Sequence, residues 1–130
     1  MHDLEVGEQQ AKTFRVGDAD TAAAMGSGGL KVLATPRLIA WMEHVAFKMI
    51  QMHLDPNQST VGSEIRCRHL APTLLEKEVR VVCKLVTKEN KRLVFDIKAW
   101  DEGDTLVGEA QHTRFIIDMK RFVENATKNN

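Results

Sequence analysis

Two side chains stand where chemistry could be done. Over residues 34–54, ATPRLIAWMEHVAFKMIQMHL, the positions Leu38, Ile39, Met42, Val45, Ala46, Met49 and Ile50 recur at steps of three and four. At about 100° per residue they form one apolar stripe on a helix. Glu43 projects to the edge of that stripe, beside Ile39 and Ile50, where a carboxylate is only partly solvated. The second is His69. Residues 60–70 alternate, with Val61, Ser63, Ile65, Cys67 and His69 on one face and Glu64, Arg66 and Arg68 on the other. His69 therefore points inward, beside the turn that Ala71-Pro72 imposes. A carboxylate and an imidazole are groups that accept and return protons. Each also has a structural reading, His69 as a satisfied core residue and Glu43 as an exposed helix residue one step off the core.

Other candidate chemistry falls away on inspection of the residue types. Gly26-Ser27-Gly28-Gly29 has the glycines of a phosphate cradle, but no Lys-Ser or Lys-Thr follows and no strand runs directly into it; it suits a flexible lid or entry loop ahead of the helix. Cys67 and Cys83 lie in alternating segments, outside any CxxC or Cys/His cluster, so they are expected as buried free thiols, with neither a disulfide nor a metal site. Lys plus Arg and Asp plus Glu number 18 each, without runs of one sign, which removes the electrostatic case for nucleic acid or an anionic membrane. No stretch approaches the ~18 apolar residues of a membrane span, and the first eleven residues lack the apolar centre of a secretion signal. A cytoplasmic protein is expected. A chain of 130 residues, 43% apolar and 28% charged, suits one globular domain over 1–130.

Several elements must position these groups. Thr35-Pro36 starts the helix, the hydroxyl serving as a cap and the proline giving up only an unpartnered N–H, and Asp55-Pro56-Asn57 stops it. Met49, Met52 and Leu54 near its end are expected in the core. Strands are expected over 8–16, 60–70, 78–88, 92–101 and 105–117, with short connectors at 89–91 and 102–104. A helix over 118–125, capped by Asp118, and a frayed tail over 126–130 close the chain. The order implies an α+β layout in which one strand, a loop and a long helix precede four strands in an antiparallel meander. The apolar face of that sheet would curl around the helix. Its mixed outer face allows self-association.

That arrangement resembles the hot-dog fold, an antiparallel five-stranded sheet wrapped around one long central helix. Residues 32–118 resemble its acyl-CoA thioesterases, in particular the fluoroacetyl-CoA thioesterase subgroup. Ala34-Thr35 through Trp41-Met42-Glu43 looks like that family's central helix. Thr60-Val61-Gly62 through Arg68-His69-Leu70-Ala71-Pro72 is similar to its glycine-to-histidine strand, and Val107-Gly108-Glu109-Ala110 through His112-Thr113-Arg114 to its last long strand.

The resemblance implies Thr35, Glu43 and His69 as catalytic residues and Gly62 as a backbone contact to the thioester. It also implies a homodimer or dimer of dimers with active sites at the interface, and an acyl-CoA substrate of short or medium chain. CoA enters as substrate, and no cofactor is required. Thioester hydrolysis needs a nucleophile or a base, a group managing its proton and donors for the oxyanion. Glu43 would attack the carbonyl or activate water; His69 would orient Glu43 or protonate the departing thiolate; Thr35 would donate to the carbonyl or hold a water. Arg66, Arg68, Arg114, Lys120 and Arg121 are the cations on offer to the CoA phosphates.

Two departures matter. Where the fluoroacetyl-specific enzyme carries lid phenylalanines, this chain has Gly26-Ser27-Gly28-Gly29-Leu30, so that specificity does not carry over. Glu76 stands where many relatives have glycine. A non-catalytic acyl-CoA-binding or sensing protein of the same fold is the alternative; an enoyl-thioester hydratase is disfavoured, since no clear Asp/His pair stands on a short helix-leading loop.

Overall fold

The computed structural model describes residues 4–129; the readings made for residues 1–3 and for Asn130 lie outside them. In order come β1 (Gln9–Arg15), a 3-10 turn (Asp18–Asp20), α1 (Ala22–Met25), α2 (Thr35–Gln51), β2 (Gln58–His69), β3 (Glu78–Glu89), β4 (Arg92–Asp101), β5 (Leu106–Asp118) and α3 (Met119–Asn129). The five strands form one antiparallel sheet in the order β1-β3-β4-β5-β2, and α2 packs against it.

The expected four-strand meander is therefore corrected to three strands, β3 to β5. β2 pairs with β5, at the opposite side of the sheet from β1. The reason lies in the link 70–77. It offers no two-residue hairpin turn. Instead it is tied to the residues ahead of α2, through Leu33 N–H donating to the Thr73 carbonyl at 2.8 Å and a Val32–Leu74 bridge. β2 is left as an edge strand.

Helix α2 buries Leu38, Trp41, Met42, Val45, Ala46, Met49 and Ile50. Trp41 replaces Ile39 in the expected stripe, because its ring stacks on Phe14 of β1 with centroids 4.7 Å apart. The helix is thereby rolled towards β1. Ile39, Glu43 and Phe47, spaced i, i+4 and i+8, form a half-buried row on its other flank, as the partial solvation of Glu43 required. Met52, expected in the core, is exposed just past the helix end, while Leu54 packs against it half-buried. The seat of the helix is Gly108. A Cβ there would lie 2.8 Å from Leu38 Cδ2 and 3.4 Å from Met42 Cε, so only glycine lets α2 approach β5 this closely.

The ends of the elements follow local chemistry, with corrections. Ala34, not Thr35, is the residue preceding the first turn, and no side chain caps α2. The 20–29 segment is less open than a flexible lid: Thr21 caps α1, Gly26 closes it in the left-handed region at φ 74°, and Ala22 and Ala23 N–H groups donate back to Val32 and Leu30. Asp118 does cap α3, accepting from Arg121 N–H at 3.0 Å and Asn57 Nδ2 at 2.9 Å. α3 continues to Asn129 instead of fraying from Ala126. Cys67 is half-buried and Cys83 fully buried, both free.

Candidate active site

The register of β2 shifts between Gly62 and Glu64, a bulge that leaves Ser63 outside the ladder. This corrects the simple alternation. Thr60 is buried and Val61 only half-buried, while past the bulge Ile65, Cys67 and His69 keep the inner face as expected. Gly62 thereby faces the helix. A Cβ at Gly62 would lie 3.2 Å from Glu43 Oε2, 3.1 Å from His112 Cε1 and 3.3 Å from Arg114 Nη1. A carboxylate, an imidazole and a guanidinium thus converge on one backbone position that carries no side chain.

Arg114 is 7% exposed, which corrects its candidacy as a surface cation for CoA phosphates. Its Nε donates to Thr60 Oγ1 at 2.8 Å, its Nη2 to the Thr60 carbonyl at 3.0 Å and its Nη1 to His112 Nε2 at 3.1 Å. The guanidinium also lies 5.8 Å from the centroid of the Phe47 ring. Burial pulls its pKa below the ordinary value, and the negative charge of Glu43 opposes that pull. The sequence assigned Arg114 only to the CoA phosphates and gave His112, its neighbour on β5, no functional role. The signal was present, since Gly108, Ala110, His112, Arg114 and Ile116 share one strand face by period two, and that face meets α2 at Gly108.

The other predicted residues gather elsewhere. Thr35 Oγ1 lies 2.8 Å from His69 Nδ1, at a cleft of about 290 Å³ lined also by Ala22, Ser27, Leu33 and Pro72. Burial lowers the His69 pKa, with the Ala71 backbone opposing. His69 Nε2 is enclosed and has no hydrogen-bond partner among the described residues. A depression of about 840 Å³ on the outer face of the sheet, between Arg66, Lys98 and Gln111, contains none of these residues.

These residues thus fall into two separate clusters, Thr35 with His69 and Glu43 with Gly62 and Arg114. Thr35 and Glu43 are about 12 Å apart along the helix at its 1.5 Å rise, and Gly62 and His69 on the order of 20 Å apart along the strand. Among the described residues no group of three or more His, Cys, Asp or Glu is placed to hold a metal ion.

The antiparallel sheet curled on one long helix is the hot-dog architecture. A hot-dog-like protein from Thermanaerovibrio acidaminovorans superposes with a TM-score of 0.87, at 19% identity, covering 95% of this chain and 91% of that one. The chain belongs to the fluoroacetyl-CoA-specific thioesterase family, which it matches over residues 16–120. It is 28% identical over 92 residues to the fluoroacetyl-CoA thioesterase of Streptantibioticus cattleyicolor, covering 71% of this chain and 66% of that relative. A point mutant of the fluoroacetyl-CoA-specific thioesterase FlK superposes over the full length of both chains with a TM-score of 0.92 at 24% identity. The same mutant solved with fluoroacetate and CoA gives 0.86 at 26% identity, covering 92% of this chain and 99% of that one.

Proposed function

We propose that this protein hydrolyses a short- or medium-chain acyl-CoA to the free acid and CoA, as a homodimer in which each active site is shared. The observation that carries this is the separation of the four site residues into two half-sites on one edge of the molecule. β2 is an edge strand, and a two-fold axis near its middle would pair it antiparallel with its copy. Gly62 and Glu43 would then lie near the partner's His69 and the partner's Thr35. Family membership supports the reaction class, and the two free thiols are in keeping with a cytoplasmic setting.

In that site Glu43 supplies the carboxylate. It either attacks the thioester carbonyl, expelling CoA thiolate and leaving a mixed anhydride for water to cleave, or takes the proton from a water that attacks. His69 and Thr35 manage the proton and the developing oxyanion, and the Gly62 backbone admits the carbonyl at close range. Fluoroacetyl-CoA is not proposed as the substrate, since the lid region here ends in Gly28, Gly29 and an exposed Leu30. The test is a panel of acyl-CoAs with a thiol reagent reporting CoA release. Saturable release with at least one acyl chain supports the reading, and tight binding of acyl-CoA without release from any would replace it by a binding role. An acyl adduct on Glu43 caught by rapid quench separates the anhydride route from water activation.

A further inference from the structure

His112 is a titratable side chain, 1% exposed, to which the reaction outlined above assigns nothing. Its two ring nitrogens are fully specified by their neighbours. Nδ1 lies 2.8 Å from the Glu64 carbonyl oxygen, which can only accept, so Nδ1 carries the proton. Nε2 lies 3.1 Å from Arg114 Nη1, which can only donate, so Nε2 must offer its lone pair. One tautomer of the neutral ring satisfies both contacts. An imidazolium would set a second N–H and a second positive charge against the guanidinium.

We propose that His112 is a positioning residue: neutral and protonated on Nδ1, it fixes the rotation of the Arg114 guanidinium so that Nη1 faces Glu43 and the substrate position above Gly62. Thr60 holds the other two nitrogens of Arg114, and Nη1 retains a second N–H that none of these contacts uses. The Gly62 position is 3.3 Å from Nη1 and 3.2 Å from Glu43 Oε2, so a small rotation of the fork changes what the carboxylate and a bound acyl group meet. The groups facing the His112 ring are Arg114 on its own strand, Glu43 from α2, the Glu64 carbonyl from β2 and the Phe95 ring from β4; Cys83 of β3 faces Arg114. Burial favours the neutral ring, the Glu64 carbonyl opposes it, the Arg114 cation adds to it and the Glu43 carboxylate opposes it.

The inference rests on the thioesterase reading for its kinetic arm, and two substitutions test it in opposite directions. His112→Asn keeps a donor at the Nδ1 position for the Glu64 carbonyl and cannot reach Arg114. His112→Gln places an acceptor near the Nε2 position and forgoes the Glu64 bond. The expected result is a loss of about tenfold in kcat for Asn with KM little changed, and retention within about threefold for Gln. The acid limb of the Gln profile should also move to lower pH, because the titrating ring is gone. A residue serving only to brace the Glu64 carbonyl would give the reverse order, and that order, or unchanged kinetics in both variants, overturns the proposal. Nitrogen-15 NMR of histidine-labelled wild-type protein provides an arm independent of activity. It should show His112 protonated on Nδ1 and titrating below 6.5; a proton on Nε2 at neutral pH overturns the assignment. Failure of wild-type protein to release CoA overturns the thioesterase reading instead.

Discussion

The Thr35 hydroxyl lies 2.8 Å from Nδ1 of His69, and no side chain caps the helix that Thr35 begins. Its work is therefore directed at the imidazole. Removing a hydroxyl that caps a helix typically costs about 1 kcal/mol, and Thr35→Ala should lose less than that in urea denaturation. Its kcat should nonetheless fall by about tenfold or more, the usual scale for a group in a proton-handling chain. Thr35→Ser, which keeps the hydroxyl, should recover most of the rate. A large stability loss with normal kcat would return Thr35 to a capping role.

Shared active sites make a prediction that a site within one chain does not. Glu43→Ala and His69→Ala proteins should each be inactive. Co-expression of the two should restore about a quarter of wild-type activity, since random pairing makes half the dimers mixed and each mixed dimer has one complete site. Activity measured on purified mixed dimers decides it; no recovery would mean that Glu43 and His69 do not meet across an interface.

Two glycines should respond differently to the same methyl group. At Gly108 the added carbon meets Leu38 at 2.8 Å inside a packed core, and overpacking of this kind costs about 1–3 kcal/mol. At Gly62 it meets Glu43, His112 and Arg114 at 3.1 to 3.3 Å, a milder approach that a shift of a few tenths of an ångström, foremost in the half-buried Glu43 side chain, relieves. Gly108→Ala should therefore lower the melting temperature, whereas Gly62→Ala should mainly lower kcat/KM. Paired thermal and kinetic measurements on the two variants check the contrast.

Acid should destabilise the fold through three histidines. Burial is the largest cause pushing His44, His69 and His112 below the ordinary value of 6.5, so below that pH the unfolded chain binds protons that the folded chain resists. Their contribution to stability is complete above pH 6.5 and is lost as pH falls from there through the folded-state values. Urea midpoints taken between pH 7.5 and 5.5 should fall with acid, and the fall should be shallower in His112→Gln. A midpoint that rose over this window would contradict the sign.

Glu76 occupies the left-handed region at φ 73°, which costs a residue with a Cβ about 1–2 kcal/mol. A glycine adopts this conformation without that cost. The position keeps a backbone bond from Glu76 N–H to the Val16 carbonyl at 2.8 Å, available to glycine as well, and the Arg15 pair is open to solvent at 3.7 Å. Glu76→Gly should raise the melting temperature without affecting kcat.

What the sequence determined by itself was local. The three-and-four spacing of α2, the alternation of the strands, Asp118 as a cap and Glu43 at the margin of an apolar stripe all depend on neighbours within a turn or a strand length. Glu43 and His69 stood out by that periodicity, and the motif resemblance added Thr35 and Gly62 as candidates. The tertiary structure decided everything that required distant segments to meet. Pairing of β2 with β5 rather than β3 set Gly62 beside His112 and Arg114, and the bulge after Gly62 turned that glycine towards Glu43. The stack of Trp41 on Phe14 rolled the helix and left the Ile39, Glu43 and Phe47 row half-buried. Arg114, a cation by composition, became an interior group because Thr60, fifty-four positions away, supplied two acceptors that no local pattern contains. Hydrogen bonds satisfied across such separations leave no periodic trace in the chain, since any strand able to deliver the right acceptor at the right register would serve.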